Sequence, residues 1–342
     1  MLPNHLLGTI TKKDIRTSLG LLLVPAGTML EQKHLNLVLQ HRVDLSEIEQ
    51  MTDDSSPEQG SEPSYPQAEL QQAVGQMKEL FEEMKRNQRV PVMKIKNELL
   101  PIVQQVSEYP DLYDLIEFVK AKDQSLYQHN IAVSVIATLI GRWMGQSAEE
   151  LSILSLAALM HDVGKVFIPD ELLHKPGPLT AEEQNEMKRH PMFGYGLLKR
   201  TAGLDPRVSL VALQHHERMD GGGYPLALPA DRIEPFSKIV AVANVFHAMS
   251  SGRPQQPPMP YYQVVAQMRD GFFGALDPSI VSVFLDHLSR HLIGRRVKLT
   301  DGQWGKVVYN NPYDPLNPMV EVNDAFINLS DRPDLHISEV VV

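Results

Sequence analysis

The sequence predicts a mainly α-helical protein with a small α/β unit at its N-terminus and a small, barrel-like β-domain at its C-terminus. Three observations predict it. Apolar residues recur at helical spacing almost without a break from Gln67 to about Ile293. A strand-like run, Gly20-Leu21-Leu22-Leu23-Val24, comes before that stretch. Near Gly294 the period changes to short apolar runs separated by turn residues.

Taken in order, residues 1–50 read as a small α/β module. The strand-like run is closed by Pro25-Ala26-Gly27, and Glu31 to Val43 then carries helical spacing through Leu35, Leu37, Val38 and Leu39. Residues 51–66 are rich in proline, serine and acid and have almost nothing to bury, which predicts a disordered linker. Residues 67–111 form a helical connector, with helices expected over Gln67 to Arg86 and Val92 to Val106. Residues 112–292 form the main helical domain. Helices are expected there at Leu112 to Val119, Ser125 to Trp143, Ala148 to Met160, Ala181 to His190, Pro206 to His216, Ser237 to Ser250 and Tyr261 to Ile293. Two of them begin with a cap followed by first-turn acids, Ser147-Ala148-Glu149-Glu150 and Thr180-Ala181-Glu182-Glu183. Residues 293–342 are the β-domain: Val297, Leu299, Val307-Val308, Met319-Val320, Val322 and Phe326-Ile327 sit in short runs, with turns at Asp301-Gly302 and Asn310-Asn311-Pro312. No internal repeat is visible.

Composition narrows the function classes. With 342 residues, 43% hydrophobic and 22% charged, the chain is an ordinary globular one of two or three domains. No apolar run approaches the roughly 18 residues of a membrane span, and Met1-Leu2-Pro3-Asn4-His5 does not start a secretory signal. The absence of cysteine excludes disulfides and thiolate metal sites and fits a cytoplasmic address. A net charge of −10 disfavours a grip on DNA or RNA backbones. A phosphate substrate would have to be drawn in locally, by metals and a few placed cations.

The side chains that carry chemistry are His129, His161-Asp162, His190 and His215-His216. The last pair opens the string His215-His216-Glu217-Arg218-Met219-Asp220-Gly221-Gly222-Gly223-Tyr224-Pro225. Imidazole and carboxylate are the donors that hold zinc, iron or manganese. Two adjacent metals can activate a water and clamp a phosphodiester. An isolated His-Asp pair ordinarily caps its own helix, and an isolated His190 ordinarily decorates a surface. Two consecutive histidines opening a glycine-rich loop rarely serve packing alone, and Gly221-Gly222-Gly223 allows a close backbone approach to a ligand.

Residues from about 112 to 292 resemble the HD-GYP family, a subgroup of the HD-domain metal-dependent phosphohydrolases. The resemblance rests on Tyr127-Gln128-His129, His161-Asp162-Val163-Gly164-Lys165, Lys175-Pro176-Gly177-Pro178-Leu179-Thr180, His190-Pro191 and the string ending Gly223-Tyr224-Pro225. It implies an HD-type helical bundle and hydrolysis of cyclic di-GMP, or a related cyclic dinucleotide, at a centre of two divalent metals, iron or manganese. By matching position it implies His129, His161, Asp162, His190, His215 and His216 as metal ligands, with Asp162 bridging. Asp162 and Lys165 would be catalytic. Lys165 and Arg253 would contact phosphate, and Gly223, Tyr224 and Pro225 would shape the substrate site.

The sequence departs from that pattern in places. Asn244 stands where a last metal-binding aspartate is expected, so that position is weak or lost. An amide oxygen brings no charge to a divalent cation. His247 replaces a second acid one turn on, and shares the Asn244 face at i+3. It could substitute as a ligand, give a proton, or only pack and hydrogen-bond there. Gln255-Gln256 follows Arg253-Pro254 where an aromatic and a basic residue are typical. Ser125 stands four positions before His129 in place of the glutamate tied to a third metal, so a third metal is not expected. Two functional readings follow: a phosphodiesterase, with activity reduced by these changes, or a degenerate domain acting as a nucleotide-binding or protein-interaction module in signalling. The helix Gln67 to Arg86 could pair with its twin in a homodimer or pack on the adjacent domain.

Overall fold

The computed structural model describes residues 67–109, 126–251, 259–271, 274–311 and 314–341, with Tyr113 and scattered positions before residue 44. The chain divides into two compact units, residues 1–64 and 65–342. In the first, strand β1 (Ile15–Arg16) pairs antiparallel with β2 (Leu22–Val24), and His34 and residues 37–39 are helical. Ile15, Val24, Leu30 and Val38 form its buried cluster. The expected linker, 51–66, and the expected helix from Leu112 to Val119 lie outside the described residues, apart from Tyr113.

The second unit is built around α3 (Leu126–Trp143), whose residues from Asn130 to Gly141 are all buried. A helix apolar on every side has no solvent face and sits at the centre of a bundle. The helices around it are α1 (Gln67–Asn87), α2 (Leu100–Val106), α4 (Ala148–Leu159), α8 (Pro235–Ser250) and α10 (Pro278–Arg290). Between α4 and α8 the chain makes a 3-10 turn (Val163–Phe167), then α5 (Ala181–Met187), α6 (His190–Lys199) and α7 (Pro206–Gln214). Both expected caps are present. Ser147 accepts the Glu150 amide, and Thr180 with Glu183 forms a reciprocal capping box.

Three expected helices differ, each for a local reason. The run from Val92 to Val106 contains a π turn, Ile95–Leu99, just ahead of α2, where Pro101 has no amide to continue the regular ladder. The helix expected to reach His190 stops at Met187. A new one, α6, starts at His190 with Pro191 in its first turn, and spacing did not anticipate it. The helix expected from Tyr261 to Ile293 is broken into α9 (Tyr261–Ala266), a π turn (Gln267–Gly271) and α10. Gly274, at φ +79°, and Asp277 capping Pro278 set the new start.

The C-terminal run forms a five-stranded antiparallel sheet in the order β6-β5-β4-β3-β7. Its strands are β3 (Arg296–Leu299), β4 (Trp304–Asn311), β5 (Asp314–Val322), β6 (Ala325–Asn328) and β7 (Ile337–Val341). Buried Val297, Leu299, Val307, Val320, Ile337 and Val340 belong to the same apolar core as the helices. Among the described residues no helix is long and apolar enough to cross a membrane.

Phe284 on α10 is fully buried, with its ring 4.7 Å from that of Phe246 and 6.3 Å from that of Trp143. Phe284→Ala should therefore cost about 3–5 kcal/mol through lost transfer energy and the cavity left behind. The loss would appear as a lower urea midpoint; an unchanged midpoint would show that this ring does not hold α3, α8 and α10 together.

Candidate metal centre

The ends of three helices and the face of a fourth converge on Asp162. His161 follows Met160, the C-cap of α4, and Asp162 caps the 3-10 turn after it; the two are 0% and 1% exposed. The turn comes close to α6 because two residues lack a side chain. A Cβ on Gly164 would run into the His190 carbonyl and the Gly194 amide, and one on Gly194 would lie 3.2 Å from the Gly164 amide. His190 opens α6, His215 caps the end of α7 and His216 follows it. His129 comes from the first turns of α3.

The two carboxylate oxygens of Asp162 face different groups. Oδ1 lies 3.1 Å from His190 Nε2 and 3.6 Å from His215 Nε2. Oδ2 lies 3.5 Å from His161 Nε2, 3.7 Å from His129 Nε2 and 2.5 Å from the Lys165 ammonium. The donor atoms thus form two groups that share Asp162, one with His190, His215 and His216 and the other with His129 and His161. Within each group all donor atoms lie within 4.8 Å of one another. Burial by itself would raise the Asp162 carboxyl, but Lys165 and the surrounding imidazoles outweigh it and hold it well below the usual carboxylate range.

The imidazoles are set up as neutral ligands. Nδ1 of His161 lies 2.7 Å from the Ala158 carbonyl, that of His190 lies 2.7 Å from the Met187 carbonyl, and that of His215 lies 3.0 Å from the Ala212 carbonyl. A carbonyl can only accept, so each Nδ1 carries the proton and each Nε2 turns a lone pair towards Asp162. Burial pushes His161 down to about 3 and lowers His129, His190 and His216 as well. His161 Nε2 in one group and Asp162 Oδ1 facing the other are buried without a hydrogen-bond partner, an arrangement that fits a cation at each group. These residues could hold a divalent metal.

The loop after α7 braces this cluster. Glu217, 3% exposed, accepts the amides of Leu226 at 2.7 Å and Leu228 at 2.9 Å. The Tyr224 amide bonds the His216 carbonyl at 3.2 Å, and the Tyr224 ring stacks on His216 at 4.5 Å. A Cβ on Gly223 would strike the backbone of Glu217 and Arg218, so only glycine fits there. Pro225 follows through a cis peptide bond. The Lys188 ammonium sits 5.4 Å above the Tyr224 ring.

All six expected histidine and aspartate ligands therefore come together. Lys165 is on Asp162 in this structure. Asn244 is half-buried on α8, and His247, one turn on, stands outside both donor groups. Arg253, Gln255 and Gln256 lie outside the described residues. Sequence reasoning missed Gly194, Glu217 as the loop's anchor, and Lys188. Glu217 was in view beside the histidine pair; nothing in a sequence marks which glycine meets which helix.

Neutral buried imidazoles have a measurable consequence. The folded state resists protonating His161 until about pH 3, whereas the unfolded chain takes up its protons near 6.5. The unfolded state thus binds more protons between those values, and stability falls as pH falls through that window, by at most about 1.4 kcal/mol per pH unit for each such histidine. Melting of the metal-free protein in chelator should drop steadily from pH 7 to pH 5. A midpoint that rises on acidification would mean that these imidazoles are charged when folded.

A family model described as HD domain matches residues 114–280. The chain is 28% identical to a cyclic di-GMP phosphodiesterase of Pseudomonas aeruginosa over 243 residues, 71% of this chain and 58% of that protein. It is 49% identical to the cyclic di-GMP phosphodiesterase response regulator RpfG of Xanthomonas campestris pv. campestris over 123 residues, 36% of this chain and 32% of that protein. The chain thus spans less than two thirds of the length of these relatives. Among solved structures, an HDG"Y"P protein from Bdellovibrio bacteriovorus matches with a TM-score of 0.50 at 17% identity, covering 84% of this chain and 98% of that one, which is a likeness of fold. Residues 114–280 thus match the HD domain family, and their histidine and aspartate cluster and Gly-Tyr-Pro loop resemble those of its HD-GYP group.

Proposed function

We propose that this protein is a metal-dependent phosphodiesterase that hydrolyses cyclic di-GMP or a related cyclic dinucleotide. The observation that carries the reading is one buried carboxylate, that of Asp162, shared by two groups of imidazole nitrogens. His190, His215 and His216 would hold one divalent ion, His129 and His161 the other, with Asp162 between them. Iron and manganese suit these nitrogen and oxygen donors. A third ion is not expected, since Ser125 offers no carboxylate. Metals bound there supply Lewis-acid polarisation of a phosphodiester and activation of a water.

The chain's own residues bind, orient and screen. Asp162 brings negative charge to both positions at once. Lys165, with its side chain 22% exposed beside that carboxylate, would contact phosphate. Tyr224, held against His216 by the Glu217-anchored loop, supplies a stacking face next to it. Arg253 would add a second phosphate contact. Asn244 offers an amide where a carboxylate would add charge, so the site is one negative unit short and should hold the ion nearest it more weakly.

That substitution also favours a second reading, a domain that binds the nucleotide or a protein partner without turning it over. The two readings separate on purified full-length protein loaded with Fe(II) or Mn(II). Cyclic di-GMP should be converted to the linear dinucleotide or GMP, and Asn244→Asp should raise turnover by roughly tenfold, about 1.4 kcal/mol of restored stabilisation. No product from either protein would leave only the binding module standing. His215→Ala should remove bound metal and turnover together; a variant that keeps its full metal content would remove His215 from the ligand set.

A further inference from the structure

Three of the five candidate histidine ligands share a device that His129 obtains differently. His161, His190 and His215 all sit at helix ends, where the carbonyl three residues back takes the Nδ1 proton. His129 lies inside α3. Its Nδ1 meets another side chain instead, Nδ1 of His247, at 2.9 Å, with the two rings edge-on and their centroids 4.8 Å apart. His247 is 5% exposed, and its other nitrogen, Nε2, is buried without a partner.

A neutral imidazole carries one proton, so in this pair one Nδ1 donates and the other accepts. If His247 donated, the His129 proton would sit on Nε2 and point at Asp162 Oδ2, which is 3.7 Å away and too far to accept it well. If His129 donates, its Nε2 lone pair faces Asp162 and the metal position. We propose that His247 is a positioning residue of the metal centre: its Nδ1 accepts the Nδ1–H of His129 and so fixes the ligating tautomer of that ring. The inference rests on reading His129 as a ligand.

His247 is therefore not a substitute ligand for the position of Asn244. It acts behind the ligand shell, in the place that a backbone carbonyl takes for the other three. An imidazole nitrogen is an uncharged acceptor, so it orients His129 without adding the basicity that a carboxylate partner would lend. The ion held by His129 and His161 is then the more weakly bound of the two.

The test uses full-length protein and Mn(II), with titrated affinity and bound metal as readouts. His247→Phe keeps a ring but removes the acceptor, and His247→Asp restores an acceptor with charge. The wild type should bind two ions. The Phe variant should bind one of them about 10–100-fold more weakly and leave the other unchanged. The Asp variant should recover or exceed wild-type affinity, although a buried carboxylate packs less well than an imidazole. Unchanged affinities in the Phe variant, or an Asp variant as weak as Phe, would overturn the proposal and leave the metal reading intact. A wild type that takes up no Mn(II) would overturn the metal reading and this proposal with it. A nitrogen-15 imidazole spectrum of the wild type gives an answer independent of any variant's folding: His129 should be protonated at Nδ1, and protonation at Nε2 would refute the assignment.

Discussion

A carboxylate with 1% of its surface exposed cannot be left to itself, and the interior of this protein is arranged around meeting that demand. Asp162 is far from the water that would solvate it, so its charge persists only because Lys165 and a ring of imidazoles face both oxygens. Those groups come from the ends of α4, α6 and α7 and from a face of α3. The helices must therefore stop where they do. Met160 ends α4 one residue before His161, α6 starts on His190, and α7 runs out at Gln214 just before the histidine pair. Carbonyls at the helix ends set the tautomers of three of the rings.

Much of this centre was legible in the sequence because ligand chemistry restricts which residue types can appear. Six side chains read as ligands are the six that gather, and the caps of α4 and α5 were visible as Ser147 and Thr180 with their following acids. What was hidden is geometric. Gly164 and Gly194 are 30 positions apart, and nothing in their spacing says that one forbids a methyl group because of the other. Helix α6 was missed because Pro191, Gly194 and Gly196 are poor helix formers. Its burial against the 3-10 turn and α7 overrides that preference. The long helix expected after Tyr261 failed the other way: its apolar period continues across a break imposed by Gly274 and the Asp277 cap.

The two departures read in the sequence, Asn244 and His247, lie one turn apart on α8. Each replaces a group that would carry negative charge with one that is neutral. Burial keeps His247 neutral, lowering it to about 4. The side built on His190, His215 and His216 has no such change, and the loop anchored by Glu217 reinforces it. Ions held at the two donor groups would meet similar nitrogen donors, three imidazoles on one side and two on the other.

The sheet at the end of the chain adds something different. Every candidate ligand lies between residues 129 and 244, yet Val297, Leu299, Val307 and Val340 fill the same apolar core as α3, and the ring of Tyr262 in α9 stacks 4.7 Å from that of His336. Removing the strands would keep the whole ligand set and expose a broad oily surface on the helices beneath. The length of chain that carries the candidate ligands is thus shorter than the length that buries the apolar core. An excised HD segment would fail by clumping before it failed at binding metal.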